Sequence, residues 1–523
     1  MMGGAFPGIP SIEQLFSGVK ILSPVPSVEN YSRLVSDSRK VSSGDIFVCL
    51  AEQQPEQEAY IEQALAKQAS IVVLDSAGFS GDLEKIVLVE GLSRCLSQIA
   101  GNYYGHPSKR MSLLGVTGTN GKSTVCSWVE QLFQLNEVAA ASIGTLGVSC
   151  GEKQLLEPDG MTTRDAIRAQ ETVSRCKEAG AEMIAMEVSS HGMDQYRVEA
   201  VCFAVALCTN FSRDHLDYHL TETEYWQAKK RLFDLPGIRC AVLNIDDEKG
   251  RELARELSTK MQVIKFSAHG DQQADIFLSD LDYRDGFHLT LNLGQQAGPN
   301  LGIQSALKLK GGQVQLHLPQ MTAEFELSNL LAALAATSAM GLPLQSAIDK
   351  VAQLKAVPGR LQMTTSIDGS KVFVDYAHTP DAISRVLAAL RVSKPKLLLV
   401  VLGCGGDRDA GKRPEMARVA ITHADRLIIT SDNPRSEDAS KIEQDMLLGV
   451  EDLSRVDCIT DRREAIRFAI EQCPGNSCVA ILGKGHESTQ IIGDWQLPFS
   501  DIEVVEDVIA ELRLETKKNG GES

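Results

Sequence analysis

The sequence predicts an α/β protein with three domains, of which the second and third are built on mostly parallel sheets. Two observations lead to this fold class. The chain has 523 residues, which is more than one ordinary core requires, because a domain usually holds about 100 to 200 residues. Short apolar runs also alternate with helical stretches along most of the chain, a pattern typical of parallel strands joined by crossover helices.

Residues 1–107 are predicted to form a small α/β domain. Asp45–Leu50 and Ser70–Leu74 are apolar runs expected to be strands, and Ala59–Lys67 is the helix expected between them. The polar stretch Gly105–Lys109 that follows is typical of a linker. The first domain boundary is therefore placed at residue 107.

Residues 108–356 are predicted to form a central domain with a parallel sheet. Two late runs, Phe287–Leu293 and Val314–Leu318, alternate apolar and polar residues beside Gly311 and Gly312, which favours a small antiparallel hairpin attached to this domain. The expected parallel strands are Leu113–Val116, Met183–Val188, Ala204–Cys208 and Cys240–Asn244.

Residues 357–523 are predicted to form a doubly wound domain, with one apolar face on the helix Pro380–Leu390. Its expected strands are Val372–Asp375, Leu397–Leu402, Leu427–Thr430 and Cys478–Leu482, and they run into the polar segments DYAHTP, GCGGDRD, SDNPR and GKGHE. Ligands bind just beyond the carboxyl ends of the strands in such sheets. The four segments therefore predict one shared site. The tail from about Glu515 is expected to be disordered.

Composition and charge argue against some classes of function. The formal charge of −17 does not suit a general nucleic-acid binder, which needs a basic face. The longest apolar runs, such as Leu397–Leu402, are far shorter than the roughly 20 residues that cross a bilayer, so no membrane insertion is expected. The 12 cysteines are scattered without a CxxC pair, which predicts reduced thiols in a cytoplasmic protein.

A phosphate-binding loop is indicated by TGTNGKST at residues 117–124, between the strand Leu113–Val116 and a helix. A glycine-rich turn in this position directs backbone N–H groups at an anion near the positive end of the helix. Lys122 can reach the outer phosphates, and Ser123 can offer its hydroxyl to Mg²⁺. Val116 stands where the strict motif has glycine, although the strand–turn–helix context is complete. The P-loop predicts nucleotide binding without identifying the reaction.

Five groups of motifs, spread from residue 117 to residue 487, carry a resemblance to a known family. They are TGTNGKST, EVSSHGMDQYRV (187–198), TNFSRDHLDYH (209–219), EYWQAKKRLF (224–233) and the four C-terminal segments. Together they closely resemble the Mur ligase superfamily, which also includes folylpolyglutamate synthetase. The resemblance implies a three-domain ligase with a small UDP-binding domain, a central P-loop ATPase domain and a Rossmann-like amino-acid-binding domain. It also implies that ATP phosphorylates a substrate carboxylate and that an amine then attacks the acyl phosphate.

The resemblance also implies a set of catalytic and nucleotide-binding residues. Ser123 and Glu187 are assigned to one Mg²⁺ and His215 to a second, and Lys229 is expected to be carbamylated and to help hold the metal. From the sequence alone, Lys229 is indistinguishable from a solvated lysine. The expected catalytic residues are Lys122, Glu187, His215 and Lys229. The expected ATP-binding residues are Gly118, Thr119, Asn120, Gly121, Lys122, Ser123, Thr124, Asn244 and Arg360, with Asp375, Tyr376 and His378 nearby.

A UDP-muramoyl-peptide substrate is implied by SDSRKVSSGDIFVCL (36–50), which is similar to the UDP-binding pattern of the family. Met161, QQPEQ (53–57) and FELSN (325–329) depart from that family's usual residues. A capping role remains open for Ser38 and for Asn244, and a purely structural role for His191 and His219. The expected substrate contacts are Ser38, Gln54, Thr162, Thr163, Ser189, Gln195 and Arg197.

The tetrapeptide DNPR (432–435) indicates which amino acid is added. Family members that use meso-diaminopimelate carry it, whereas lysine-adding relatives lack the arginine. Arg435 can hold the additional carboxylate of diaminopimelate through two parallel hydrogen bonds, and burying it without an anion is costly. Glu487 is expected to pair with the distal ammonium, or else to cap a helix. The expected pocket consists of Arg408, Asp432, Asn433, Pro434, Arg435, Gly483 and Glu487.

Three alternatives remain open at this point. Folylpolyglutamate synthetase shares the chemistry but lacks the combination of a UDP-type domain, DNPR and GKGHE. An inactive scaffold is disfavoured because Lys122, Glu187, His215 and Lys229 are all present, and a P-loop motor leaves the four C-terminal segments unexplained. We therefore expect a monomeric ligase that uses ATP, UDP-N-acetylmuramoyl-L-alanyl-D-glutamate and meso-diaminopimelate, with a C-terminal domain that swings inward during turnover.

Overall fold

The computed structural model describes residues 9–28, 30–51, 54–75, 84–283, 286–294, 312–365 and 369–520. Within these ranges the strands form three large sheets and one two-stranded ribbon. The large sheets span residues 34–89, 112–318 and 362–482, so each of the three proposed domains contains one sheet.

The N-terminal sheet has four parallel strands in chain order. Its middle strands are almost wholly apolar because helices cover both faces: Leu96 packs on one side and Ile61 on the other. The strands are β1 (Leu34–Val35), β2 (Ile46–Cys49), β3 (Ile71–Asp75) and β4 (Ile86–Val89), and the helices are α1 (Ile12–Leu15), α2 (Gln54–Ala66) and α3 (Leu92–Tyr103).

The central sheet has eleven strands in the described part of the chain. They are β5 (Ser112–Thr117), β6 (Ala140–Gly144), β7 (Gly147–Cys150), β8 (Lys153–Leu156), β9 (Met183–Glu187), β10 (Val205–Cys208), β11 (Cys240–Asn244), β12 (Gln262–Ser267), β13 (Ile276–Tyr283), β14 (Phe287–Leu293) and β15 (Gln313–Leu318). Their order is β15-β14-β13-β12-β11-β10-β5-β9-β6-β7-β8. Because β5 lies between β9 and β10, the segments that follow these three strands meet at one edge of the sheet.

Eight helices accompany this sheet in the described residues. They are α4 (Lys122–Leu135), α5 (Ala166–Glu178), α6 (Ser190–Asp194), α7 (Leu216–His219), α8 (Glu222–Lys230), α9 (Glu248–Leu257), α10 (Glu324–Ala339) and α11 (Leu344–Ile348). Helix α4 buries Val125, Trp128, Val129 and Leu132 against the sheet.

The predicted hairpin is not a separate appendage, and that part of the prediction is wrong. Strands β14 and β15 do pair in antiparallel fashion, but β14 also pairs with β13, which continues the sheet through β12. The physical reason is burial: Phe287, Leu289 and Leu291 belong to the main core of the central domain. These apolar side chains hold both strands at the edge of the large sheet. Gly311 lies outside the described residues.

The C-terminal domain is doubly wound, as the sequence predicted. Its six-stranded sheet has the order β16-β17-β21-β18-β19-β20, formed by β16 (Gln362–Thr365), β17 (Lys371–Asp375), β18 (Leu398–Leu402), β19 (Arg426–Ile429), β20 (Val456–Cys458) and β21 (Cys478–Leu482). The ribbon consists of β22 (Thr489–Ile492) and β23 (Trp495–Pro498). Helices α12 (Pro380–Val392), α13 (Lys412–His423) and α14 (Ala439–Leu447) cover one face, and α15 (Arg462–Glu471) and α16 (Asp501–Gly520) cover the other.

The prediction of a disordered tail from Glu515 is also wrong, because α16 continues to Gly520. Arg467 of α15 explains the difference: its guanidinium lies 2.9 Å from carboxylate oxygens of both Glu511 and Glu515. These ion pairs bind the late turns of α16 to the neighbouring helix. None of the described helices combines the length and the apolar composition that spanning a bilayer requires.

A buried ion pair joins the first turns of α15 and α16. Arg462 Nε and Nη2 donate to the two carboxylate oxygens of Asp501 at 2.7 Å each, and neither side chain is exposed. The change Asp501→Asn should lower the free energy of unfolding of the C-terminal domain by about 3–5 kcal/mol, because it leaves a buried guanidinium without its counter-charge. Urea unfolding of the purified variant measures this loss.

The matched control for that experiment is Asp507→Asn on the same helix. Asp507 is 66% exposed and lies 3.5 Å from Arg463. Its replacement should change the free energy of unfolding by less than about 0.5 kcal/mol. If both variants lost the same free energy of unfolding, burial of the Arg462–Asp501 pair would not explain its contribution to stability.

Candidate active site

A cavity of about 620 Å³ lies between the central and C-terminal domains. Two contacts join its walls: Arg360 Nη2 donates to Ser123 Oγ at 3.2 Å, and Lys412 Nζ lies 3.4 Å from Asp214 Oδ1. These contacts join the central and C-terminal domains beside the cavity. The predicted site residues that line it are Thr119, Asn120, Gly121, Lys122, Ser123, Thr124, Thr162, Glu187, His215, Asn244, Arg360, Asp375, Tyr376 and His378.

The P-loop connects β5 to the N-terminus of α4 and requires its glycines. Gly118 and Gly121 have φ values of 138° and 85°, which side chains rarely adopt. A Cβ atom at Gly118 would lie 1.9 Å from Thr209 Oγ1, and one at Gly121 would lie 2.3 Å from Asn329 Oδ1. The loop therefore packs tightly against its neighbours, and the N-terminus of α4 opens directly into the cavity.

Two lysines meet at the carbonyl group of Gly118. Lys122 Nζ donates to the carbonyls of Gly118 and Thr119 at 2.9 Å each, and Lys229 Nζ donates to Gly118 O at 2.8 Å. Lys229 is 1% exposed and lies behind the loop, with Nζ 4.3 Å from the ring centroid of Tyr225. Burial lowers the pKa of Lys122. Burial and the nearby Lys122 ammonium hold the pKa of Lys229 well below that of a solvated lysine.

Glu187 ends β9 next to β5 and points into the cavity. Its Oε1 accepts a hydrogen bond from Thr145 N at 2.9 Å, and its Oε2 accepts one from Thr145 Oγ1 at 3.3 Å. A Cβ atom at Gly144 would lie 2.1 Å from Glu187 Oε1, so glycine makes room for the carboxylate. Thr162 joins the same group, since its Oγ1 lies within hydrogen-bond distance of Thr145 Oγ1, at 3.1 Å.

His215 follows β10 and sits in the left-handed backbone region, with φ 52°. Its Nε2 lies 3.5 Å from Asp214 Oδ2. Burial lowers the pKa of His215 to about 4, so its imidazole is neutral at pH 7 and can offer a lone pair to a ligand. His191 packs edge-to-face against both His215 and His219, with ring centroids 4.9 and 5.4 Å apart.

The donors in the cavity fit the metal ion that the sequence implied. Ser123, Glu187 and His215 line one space, and hydroxyl and carboxylate oxygens are natural ligands of Mg²⁺, whereas imidazole is less usual. No group of three or more His, Cys, Asp or Glu side chains in the described ranges could hold a metal ion. Mg²⁺ usually keeps several water ligands and takes few ligands from the protein, so these three donors are compatible with it.

Four predicted substrate contacts form one connected group beside Glu187. Thr163 Oγ1 donates to Glu187 O at 3.0 Å and accepts from Ser189 N at 2.9 Å. Arg197 Nη1 donates to Thr163 O at 2.5 Å, and Arg197 Nη2 donates to Gln195 Oε1 at 2.6 Å. The group lies outside the nucleotide cavity and is held in place by these bonds.

Three other residues were predicted to bind a ligand. Two of them have hydrogen-bond partners within the protein, and the side chain of the third is not among those that the structure describes. Ser38 Oγ donates to Gln63 Oε1 at 2.5 Å, and Ser38 is 5% exposed. Gln54 begins α2, and its side chain lies outside the described residues. Asn244 lines the cavity, and its Oδ1 accepts from Asp246 N at 3.0 Å. It does not cap the following helix, because Asp247 does so.

The DNPR and GKGHE segments come together beyond β19 and β21. Arg435 has φ 53°, and its Nη1 donates to Gly406 O at 2.7 Å. Gly483 makes room for the first aspartate of DNPR, since a Cβ atom there would lie 2.7 Å from Asp432 Oδ2. Pro434 is buried, whereas Arg408 is exposed on the adjacent GCGGDRD loop.

Glu487 does not cap a helix; instead it pairs within the protein. Its Oε2 accepts from Asn433 Nδ2 at 2.8 Å and from Lys484 Nζ at 2.9 Å. Sequence reasoning missed Lys484, which is completely buried, and also missed Thr145 and Lys412. One signal for Lys484 was available in the sequence. It is the lysine of the GKGHE segment, a charged residue that lies almost directly after the apolar strand β21.

The sequence and the fold were compared with known proteins. Residues 116–337 match the Mur ligase middle domain, and residues 359–485 match the family described as Mur ligase, glutamate ligase domain. The chain is 41% identical to the UDP-N-acetylmuramoyl-L-alanyl-D-glutamate–2,6-diaminopimelate ligase of Pseudomonas aeruginosa, over 91% of this chain and 94% of that protein. It is 38% identical to the ligase of the same name from Coxiella burnetii, over 90% of this chain and 94% of the relative. A solved structure bearing the same enzyme name superimposes with a TM-score of 0.66 at 33% identity, covering 97% of this chain and 99% of that one.

Proposed function

Because the chain belongs to the Mur ligase family, we propose that it is an ATP-dependent ligase that adds 2,6-diaminopimelate to UDP-N-acetylmuramoyl-L-alanyl-D-glutamate in peptidoglycan synthesis. The observation that carries this proposal is 41% identity to a ligase of that name over 91% of the chain. DNPR, at residues 432–435, supports the choice of amino acid, and we propose the meso isomer.

The reaction needs a carboxylate, ATP and an amine to be held together out of water. The substrate carboxylate attacks the γ-phosphorus of ATP and ADP leaves; the amine then attacks the acyl phosphate, forming the amide and releasing phosphate. Negative charge gathers on the transferring group, so placed cations carry much of the catalysis. Lys122 and the N–H groups at the start of α4 can bind the phosphates, and Arg360 approaches them from the C-terminal domain.

We further propose that Ser123 and Glu187 hold one Mg²⁺ and His215 a second, and that a carbamate of Lys229 helps to hold the metal. When bound, Mg²⁺ neutralises charge on the phosphoryl oxygens. A carbamate forms when the neutral amine of Lys229 attacks CO₂ and releases one proton. The low pKa of this buried amine supports the step, because only the neutral form is nucleophilic. The carbamate nitrogen retains one N–H, which can continue to donate to Gly118 O.

Substrate binding is proposed for the same residues that the sequence indicated. The group around Thr163 and Arg197 would hold the muramoyl-peptide, and Arg408 and Arg435 the diaminopimelate carboxylate. We also propose a monomer in the cytoplasm. All 12 cysteines are free thiols, which suits a reducing compartment, and sedimentation velocity with purified protein tests the monomer.

Phosphate release from ATP tests the proposed function directly. UDP-N-acetylmuramoyl-L-alanyl-D-glutamate is supplied with meso-diaminopimelate or with L-lysine in parallel, and Lys122→Met serves as the inactive control. Release should require both the nucleotide-linked substrate and diaminopimelate, with lysine at least about 100-fold less efficient, because Arg435 would lack its anion. Equal efficiency with lysine would refute the amino acid assignment, and no release with either would refute the ligase assignment.

A further inference from the structure

Lys484 is a fully buried cation next to the proposed amino-acid pocket. It follows β21, and its side chain has no solvent exposure. Nζ donates to Glu487 Oε2 at 2.9 Å, to Asn433 Oδ1 at 3.1 Å and to Thr489 O at 2.8 Å. An ammonium group has three N–H donors, so all of them are used inside the protein. Lys484 is therefore placed to act on its neighbours and not on a substrate.

Those neighbours are two predicted pocket residues that Lys484 fixes relative to each other. Asn433 Nδ2 also donates to Glu487 Oε2 at 2.8 Å, so Lys484, Asn433 and Glu487 form a closed triangle of hydrogen bonds. Ile491 N donates to Asn433 Oδ1 at 3.0 Å and holds the amide from the other side. Both bonds to Glu487 end on Oε2, which leaves Oε1 as the oxygen available to a ligand.

The charges around Lys484 indicate what its loss would do. Asp432 Oδ1 lies 3.6 Å from Nζ, and Glu487 Oε2 lies 2.9 Å from it. Without the ammonium, two neighbouring carboxylates would lose the cation that offsets their repulsion. Glu487, whose side chain is 31% exposed, could then turn towards water.

Removing Lys484 has two opposing effects on a cationic ligand. A less positive pocket attracts the ligand more strongly, whereas a displaced Glu487 no longer meets it. The second effect should dominate, because a carboxylate that has turned into solvent is screened and no longer held in binding geometry.

We propose that Lys484 is a positioning residue that, together with Asn433, fixes Glu487 as the receptor for the distal ammonium of diaminopimelate. This inference rests on the proposed function. A buried side chain, that of Lys484, then determines the preference of the enzyme for an amino acid with a second amine. A merely structural role for Lys484 would weaken all amino acids equally, whereas a positioning role weakens only those that carry the distal amine.

The test compares two ligands in two enzymes. One ligand is meso-diaminopimelate, and the other is 2-aminopimelate, which keeps the reacting amine and both carboxylates but lacks the distal amine. The full-length enzyme should prefer diaminopimelate in kcat/KM by about 10- to 100-fold, the range of one charged hydrogen bond. In Lys484→Met this preference should fall below about threefold, with KM for diaminopimelate raised about tenfold or more and KM for ATP changed less than about twofold.

Two variants keep the result interpretable. Lys396→Met makes the same replacement at an exposed lysine of the same domain and should leave both ligands unchanged. If Lys484→Met does not fold, as judged by circular dichroism, Lys484→Gln replaces it, since an amide can still donate to Thr489 O. An unchanged preference, or a lower KM for diaminopimelate, would overturn the role of Lys484. Failure of the unmodified enzyme to use diaminopimelate would instead overturn the proposed function.

Discussion

The change Arg435→Lys is expected to lower kcat/KM for diaminopimelate by about 10- to 100-fold, because the charge is kept while one charge-assisted hydrogen bond of the bidentate pair is lost. A guanidinium presents a planar pair of donors that matches a carboxylate, whereas an ammonium presents a point charge on a shorter side chain. Steady-state kinetics with varied diaminopimelate at saturating ATP measures the loss.

The backbone at Arg435 makes this substitution a clean test of the head group. Its φ of 53° is equally unfavourable for arginine and lysine, and the surrounding chain holds it in place. Arg435 N donates to Ile491 O at 3.0 Å, and Gly493 N donates to Arg435 O at 2.6 Å. The loop should therefore keep its shape when only the side chain changes.

The control is Arg418→Lys on α13, an exposed arginine 3.9 Å from Glu415. It should leave kcat/KM for diaminopimelate within about twofold, since surface pairs contribute little. L-lysine turnover should not rise in Arg435→Lys, because one ammonium group in the pocket is no partner for the ammonium end of L-lysine. A loss below about threefold for diaminopimelate would show that Arg435 does not bind its carboxylate.

The parts of the site that depend on local sequence could be predicted. A strand, a glycine-rich turn and a helix are contiguous in the chain, so the sequence located Lys122 and Ser123 directly. Glu187 could be placed because it ends a strand, and strand ends in a parallel sheet meet at one edge. The doubly wound C-terminal domain followed from the same alternation of strands and helices.

The parts that depend on contacts between distant segments could not be predicted. Lys229 is buried because α8 packs behind the P-loop. Nothing in the sequence around Lys229 distinguishes it from an exposed lysine near the end of a helix. Likewise, Asn433, one of the two partners of Glu487, lies 54 positions away from it in the chain. The sequence assigned β14 and β15 to a separate hairpin. An alternation of apolar and polar residues predicts a strand but does not specify its neighbours in the sheet, so the pairing of β14 with β13 could not be predicted.

Lys229 carries the other large expected effect. The change Lys229→Ala should lower kcat by about 100- to 1,000-fold, the range observed when one electrostatic stabiliser of a charged transition state is removed. The neighbouring Lys230 provides a matched control, because its Nζ lies 2.6 Å from Glu256 at the surface. Lys230→Ala should therefore retain kcat within about twofold.

Three measurements separate a carbamate from an ordinary buried lysine. ¹³C-bicarbonate should give a carbamate resonance in the unmodified enzyme and in Lys230→Ala, but not in Lys229→Ala. Acetate or propionate should restore part of the activity of Lys229→Ala, because the shortened side chain leaves room for a carboxylate beside Gly118. In a third measurement, CO₂ is removed from the unmodified enzyme and then restored at several pH values. Activity should recover less at a pH below the pKa of the Lys229 amine, since the protonated amine cannot attack CO₂. Wild-type activity in Lys229→Ala would refute the role of this lysine. An inactive variant that no carboxylate rescues, together with no carbamate resonance, would show that Lys229 acts as a cation beside the P-loop.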